Sequence, residues 1–522
     1  MVTLEEVSGL IPKNSTDGAH ATPTRVADSY KSLCTFQLDK NRSYKQQYGD
    51  MYFLRLAKIK PAVEQVAAKA WEGTKIGGEE VKKVERVLDV RQGELCWVAG
   101  TIYMDMPLKP NILEDVSKDA GVQKWISAPI NSQEPYFSLD GSDQTMLEDD
   151  SGRIRLVGDL LEKVPLVTGC IVAVMGTENS SGEFEIIDIK FPDLPPQPER
   201  WSLSKPGSTN GKGKSARKID RVEDEGSGSD EEMSDCQPGK KIAVVSGLFF
   251  STMDADHAME LALLQEYLLG EALSANDQAE VANISRLIIA GDSISTAAPD
   301  RKQALPLEKK ANKKYGYDSS AYNAMPVQLF DEYIDDLLPS IPITLLPGAQ
   351  DPANASYPQQ PIHMAMLRNA KLYAPDPTAK KQPGWLDSVT NPWEAEIEGW
   401  RVLGTGGQNV DDVFRYVDSD DRLGMMEAMC RWRCCAPTAP DTLWSYPFQE
   451  DDPFVMKTCP HLFFVGCQPE FSTKVITGPE GQAVRLVTVP SFADTKEVVL
   501  VDMETLEVSV VSFAKYDGDN SK

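Results

Sequence analysis

The sequence predicts an α/β domain built on a parallel sheet, preceded by a small closed β-barrel. Three observations carry this. Apolar runs from Ile242 to Ser246, Arg286 to Ala290 and Ile341 to Leu346 alternate with amphipathic stretches, the spacing of a parallel sheet with crossover helices. Upstream, from Leu95 to Ile189, short segments rich in strand formers are separated by turn residues. Between the two blocks, from about Ser204 to Gly239, almost no apolar residue occurs.

Composition bounds the class. A chain of 522 residues corresponds to roughly three domains, or two large ones. Hydrophobic residues make up 41% and charged residues 25%, an ordinary globular balance with ample material for a core. No run of about 18 apolar residues occurs, so no membrane span is expected. The start, Met1 to Glu6, is acidic and lacks the apolar core of a secretory signal. The nine cysteines form no regular framework and no Cys-x-x-Cys pair, which fits a reducing compartment, cytosol or nucleus. Formal net charge is −26. Release of counterions from nucleic acid needs clustered Lys and Arg, so any DNA contact is expected to run through a partner.

In chain order, residues 1–30 read as a polar, flexible tail. Residues 31–90 read as a helical segment docking on the core, helical to Trp71, with Pro61 placed in a first turn. Tyr44, Tyr48, Tyr52 and Phe53 read as aromatic anchors for that docking. No basic patch accompanies them, as a stacking platform for nucleic acid would require. Residues 91–198 carry the strands. Leu95 to Met104 is one; Gln144 to Leu147 and Arg153 to Val157 flank the turn Glu148-Asp-Asp-Ser-Gly152. Cys170 to Val174 and Phe184 to Ile189 flank Asn179-Ser-Ser-Gly182. About five strands in such a length suit a barrel of the OB type, and the acidic hairpin tip favours a protein-binding or structural role.

Residues 204–239 read as a disordered linker, basic from Lys205 to Arg221, then acidic. Ser227 and Ser229 each precede an acidic residue by three positions, a pattern for acidophilic kinases. In residues 240–515, Asp254 is placed to cap a helix with Leu261, Leu264 and Leu268 on one face. Pro326 opens another, to Leu338, with Phe330, Ile334 and Leu337 together. Further strands are expected at Leu462 to Val465, Val484 to Val489, Val498 to Val501 and Val508 to Val511. Residues 516–522 read as a tail.

Strand ends of an α/β sheet are where chemistry usually sits. The apolar run from Ile343 ends in Pro347-Gly-Ala-Gln-Asp351. Binuclear metallophosphoesterases carry Gly-Asn-His-Asp/Glu in this frame, within the set Asp-x-His, Gly-Asp, Gly-Asn-His, a lone His and Gly-His-x-His. The other strand ends read Ser246-Gly-Leu-Phe249, Gly291-Asp292 and Gly466-Cys-Gln-Pro469. Gly247, Phe249, Ala349, Gln350, Cys467 and Pro469 therefore stand where ligands would, and Asp292 alone keeps its carboxylate. The four histidines, His20, His257, His363 and His461, fall in none of these slots. One carboxylate cannot hold two divalent ions, so no metal and no cofactor are expected. Phe249 is expected to fill the cavity. Cys430, Cys434 and Cys435 lack the spacing of a zinc knuckle and read as core cysteines on a helical stretch.

Further motifs resolve the family. Arg42-Ser-Tyr-Lys-Gln-Gln-Tyr48, Val245-Ser-Gly-Leu248, Ala290-Gly-Asp-Ser293, Leu346-Pro-Gly-Ala-Gln-Asp-Pro352, Asn391-Pro-Trp393 and Gly404-Thr-Gly-Gly-Gln-Asn-Val-Asp-Asp412 stand in order. Ala436-Pro-Thr-Ala-Pro-Asp-Thr442, Cys459-Pro-His461 and Leu486-Val-Thr-Val-Pro490 complete the set. The chain resembles the B-subunit family of replicative DNA polymerases, and within it the delta branch, from about Tyr30 to Val511. The resemblance implies an OB-type β-barrel joined to a calcineurin-like metallophosphoesterase sandwich that has lost its metal site. It implies a non-catalytic nuclear scaffold in DNA replication and repair. The implied partners are the cysteine-rich C-terminal region of the catalytic subunit of DNA polymerase delta and a third, clamp-binding subunit. DNA and the sliding clamp are then met only indirectly, and no membrane is involved. The alternative is a phosphoesterase or exonuclease with an atypical metal site around Asp292, Cys467 and the Cys430–Cys435 group; ligand count separates the two and favours the scaffold. A third reading, an independent single-strand binder, lacks a basic stripe.

Overall fold

The structure, a computed structural model, describes residues 23–39, 42, 48–110, 135–205, 239–251, 256–271, 273–295, 324–375 and 384–514. The expected linker over 204–239, except its ends, lies outside the described residues, as do Tyr44, Asp254, Ser227, Ser229 and the tail 516–522.

A short strand β1 (Tyr30–Ser32) leads to a long helix α1 (Gly49–Trp71). Its Leu56, Ile59, Val63, Ala67 and Trp71 are buried, a spacing of three and four that lays one face on the barrel. Pro61 falls inside this helix and not in its first turn, which is a correction. The helix starts far upstream because the sequence from Gly49 already carries the apolar spacing. Pro61 and Ala57 are both exposed, so the carbonyl left without a donor faces water. The aromatic docking expected of this segment is corrected at two of its residues. Tyr48 and Phe53 are 49% and 59% exposed, whereas Tyr52 is partly buried near Arg55, Tyr103 and Asp441, and Met51, Arg55 and Leu56 make contact beside it.

The barrel strands are β2 (Cys96–Asp105), β3 (Gln144–Glu148), β4 (Arg153–Val157), β5 (Ile171–Glu178) and β6 (Glu183–Lys190). Their order, β2-β3-β4-β6-β5 and back to β2, closes the sheet on itself. All pairs are antiparallel except β4 with β6. Turn chemistry sets the two hairpins. Asp149 Oδ1 accepts from the N–H of Ser151 at 2.8 Å, and Asn179 Oδ1 from that of Ser181 at 2.9 Å.

Beyond the barrel come β7 (Lys241–Val245), α2 (Ala258–Leu269), β8 (Ile284–Ala290), α3 (Met325–Leu337), β9 (Ile343–Leu346) and β10 (Leu386–Ser388). Then follow β11 (Trp393–Ile397), β12 (Trp400–Thr405), α4 (Gln408–Tyr416), α5 (Arg422–Arg431), β13 (Leu462–Gln468), β14 (Ser472–Thr477), β15 (Ala483–Pro490), β16 (Glu497–Asp502) and β17 (Val508–Ser512). They form two six-stranded sheets. The first runs β10-β9-β8-β7-β16-β17, with β7 to β10 parallel. The second runs β1-β11-β12-β13-β15-β14.

The central strands bury both faces. Ile242, Val244, Ile288 and Leu346 of the first sheet meet Trp393, Ala395, Val402, Phe464 and Val487 of the second. The alternate residues Ala243, Val245, Leu287 and Ile289 face Leu264, Leu268, Phe330 and Ile334 of α2 and α3. On the outer side of the second sheet, Leu403, Phe463 and Leu486 join α4, α5 and the barrel interior in one continuous core. A period of two along the strand thus feeds two different cores, which is why these segments read as unbroken apolar runs.

Arg55 fixes the junction of barrel and sheets. Its guanidinium is fully buried, with Nε 2.8 Å from Asp452 and Nη1 2.6 Å from the carbonyl oxygen of Pro437. Cys434 and Cys435 lie buried beside it, and Cys430 and Cys459 are buried in the same shared core.

The expected tail over 1–30 needs correcting at its end. From Arg25 on the chain is anchored: Arg25 donates to the carbonyl of Ile284 at 2.8 Å, and Tyr30 begins a paired strand. These are polar anchors, and hydrophobic periodicity carries no trace of them.

Candidate functional site: the converging strand ends

Strands β7, β8, β9, β12 and β13 deliver their C-terminal ends to one place. Gly247 follows β7 with φ 62°, a left-handed turn, and a Cβ there would meet Ser491 Oγ at 2.6 Å. Phe249 is only half-buried, and its N–H reaches the Asp292 carbonyl at 3.1 Å. The neighbouring ring, Phe250, enters the core between the first sheet and its helices, against Phe330 and Tyr333. The backbone at Phe249 is left-handed (φ 47°), which turns its side chain out of the strand's alternation.

Asp292 is buried and accepts from the N–H of Gln350 at 2.8 Å. Asp351, also buried, accepts from the N–H groups of Ile294 and Gly348 at 2.8 and 2.7 Å. The loops after β8 and β9 are therefore tied to each other through two carboxylates. Burial pushes the Asp292 carboxyl above the ordinary range, against the hydrogen bonds from Gln350 and Cys467. Burial and then the Asp292 charge push Asp351 up to about 7. The Cys467 thiol is driven well above its usual value by desolvation and then by Asp292, Asp351 and Asp411, and it donates to Asp292. A thiol held protonated is a poor metal ligand.

The rest of the site is amide. Asn391 Nδ2 donates to Gln359 Oε1 and Gln408 Oε1, both at 2.9 Å. Gln408 Nε2 donates to Gln359 Oε1 at 2.8 Å, and Gln359 Nε2 to the Gly348 carbonyl at 2.9 Å. Asn391 Oδ1 accepts from Tyr357 and from the N–H of Gly406. Amides neither ionise nor move protons near neutrality, and here they satisfy one another. The loops also touch backbone to backbone. A Cβ on Gly291 would come within 3.1 Å of Cα of both Gly348 and Gly406, and one on Gly348 would meet Asp292 N at 2.1 Å.

Of the residues singled out in the sequence, the structure brings Gly247, Phe249, Asp292, Ala349, Gln350 and Cys467 together through these loops. Pro469 is exposed. Asp351, Asp411, Gln359, Asn391 and Gln408 were not assigned roles from sequence. Asp351, Asn391, Gln408 and Asp411 lie within the family motifs, so their signal was position, not residue chemistry. Among the described residues, no three His, Cys, Asp or Glu side chains gather in the geometry of a metal site.

Residues 242–473 match the family of the B subunits of DNA polymerases alpha and epsilon, and residues 47–189 match the DNA polymerase delta subunit OB-fold domain. The chain is 31% identical over 522 residues to the DNA polymerase delta small subunit of Saccharomyces cerevisiae, covering 94% of each. It is 31% identical over 491 residues to the small subunit of Arabidopsis thaliana, covering 94% of this chain and 96% of that one. To DNA polymerase delta subunit 2 of Drosophila melanogaster it is likewise 31% identical, over 94% and 98%.

Proposed function

The chain belongs to the family of DNA polymerase delta small subunits, an accessory subunit of a replicative polymerase, and from that premise we propose that it is a non-catalytic scaffold. In this reading the two-sheet body is a calcineurin-like phosphoesterase sandwich whose metal site has been lost. The observation that carries it is the crowding of the Gly291, Gly348 and Gly406 backbones at the strand ends, with amides and a protonated thiol around them. Two-metal hydrolysis needs cations a few ångströms apart, held by several basic or anionic ligands. Gly247, Phe249, Ala349, Gln350, Cys467 and Pro469 are then degenerate ligand positions, and Asp292 is a loop tie. The scaffold bridges the cysteine-rich C-terminal region of the catalytic subunit and a third, clamp-binding subunit, in the nucleus.

The purified chain supplied with manganese or zinc is expected to show no phosphodiesterase turnover. Turnover that disappears in Asp292→Ala would overturn the reading.

A further inference from the structure

The segment 25–38 touches every layer of the molecule, and nearly all of its contacts are polar. Arg25 lies over carbonyl groups at the end of α2, at the end of a short helix over Ala275–Val281, and at the start of β8. Its Nη1 donates to Val281 at 3.1 Å and to Ile284 at 2.8 Å, and its Nη2 donates to the carbonyl of Leu268 at the end of α2. Helix-end carbonyls have no partner within the helix and carry the negative end of its dipole, so one guanidinium satisfies several at once.

Three residues on, Asp28 pairs with Arg286 at 2.6 Å. Both side chains are buried, 7% and 4% exposed. Arg286 sits on β8 in the first sheet, and its Nη1 also reaches Thr344 Oγ1 of β9 at 3.0 Å. Its guanidinium carbon lies 3.8 Å from the centre of the Tyr30 ring, which stacks in turn on Trp393 of the second sheet. The Tyr30 hydroxyl donates to Asp387 of β10. Meanwhile the backbone of Tyr30, Lys31 and Ser32 pairs with Ile397, Glu396 and Ala395 as the edge of the second sheet. One turn of chain is thus bonded by side chain to the first sheet and by backbone to the second.

The far end of the segment reaches the barrel junction. Phe36 is buried in the core that the barrel shares with α4 and α5, stacked on Phe454. Gln360 accepts from the N–H of Leu38 at 3.0 Å and donates to the carbonyl of Phe36 at 3.1 Å.

We propose that residues 25–38 form a clasp that fixes how the two sheets and the barrel junction sit against one another, with the Asp28–Arg286 pair as its lock. Arg286 is a buried cation whose carboxylate partner comes from the clasp. A buried charge stripped of its partner cannot stay where it is without water following it in. Losing Asp28 therefore frees the clasp and opens the sheet edge beneath it. The consequence for assembly, a loosened surface for the catalytic subunit, rests on the scaffold reading.

Hydrogen exchange on the full-length chain separates the two questions. In Asp28→Ala, exchange is expected to rise at least tenfold not only in residues 25–38 but also in β8, β11 and the 441–455 loop. Melting temperature should fall by roughly 5 °C. The double variant Asp28→Leu/Arg286→Met removes both charges and should restore protection. Should Asp28→Ala fail to fold, Arg25→Gln carries the same exchange readout. Faster exchange confined to residues 25–38, with β8 and β11 unchanged, would overturn the clasp. Co-purification with the catalytic subunit is scored separately: a loosened variant that still binds fully contradicts only the link to assembly.

Discussion

The Asp351 carboxylate accepts hydrogen bonds from the very loops it organises, and it does so beside a second carboxylate, Asp292. Its folded value, about 7, stands above the ordinary carboxylate range. Stability from the protonated form is therefore complete below the unfolded value and is lost as pH rises through about 7. Asp292→Asn keeps an acceptor for Gln350 and removes the neighbouring charge. It should flatten the decline in stability between about pH 4 and 7, by roughly 1 kcal/mol, in denaturant titrations. An unchanged slope would show that Asp292 does not act on Asp351. Arg55 makes the opposite case, a buried cation already matched by Asp452. Arg55→Ala strands that carboxylate and should cost about 3–5 kcal/mol in chemical unfolding. At this scale the sequence was legible only in part. Gly247, Asp292 and Cys467 announced themselves by standing in a known frame. Asn391 and Gln408 did not, because an amide has no motif of its own and gains meaning only from the partner the fold brings to it.

At the scale of elements, legibility followed burial. Strands such as β7, β8 and β9 bury both faces and show as apolar runs. Edge strands β1 and β14 are short or half-exposed, with burial patterns that alternate poorly, and left no readable signal. α4 was missed for another reason. Asn409 and Asp412 are buried among its apolar residues, and polar residues on a core face erase the periodicity that a reader counts. Of α5 only the end, at Cys430, was read as helical. Pro61 misled because proline marks a first turn more often than a helix interior. It survives in α1 on the solvent side, where it removes one hydrogen bond and kinks nothing buried. Pro61→Ala restores that bond and should stabilise the chain by about 1 kcal/mol or more, measured as a higher denaturation midpoint. A lower midpoint would mean that the proline shapes the helix's approach to the barrel.

Across the whole molecule, the barrel and the second sheet are not two bodies joined by a linker. Val98, Leu147 and Phe184 of the barrel share one hydrophobic cluster with Val413, Met426 and Phe463. Arg55 and Asp452 lock the same seam, and Phe36 enters it from the clasp. A shared core of this kind makes a rigid composite surface, which a scaffold requires and a hydrolase does not. Beside it, Phe53 on α1 and Tyr48 just before it remain exposed. A stable contact between subunits buries on the order of 1,200 Å² or more, beyond what a strand-end groove filled by glycine backbones and amides can offer. The scaffold account therefore places the catalytic subunit's C-terminal region across the seam. Cross-linking mass spectrometry of the co-expressed pair measures this directly. The account predicts links from that region to lysines on both sides, among them Lys58 and Lys60 on α1 and Lys457 beyond the seam. Links confined to one side, or clustered only around Asp292 and Gln350, would contradict it.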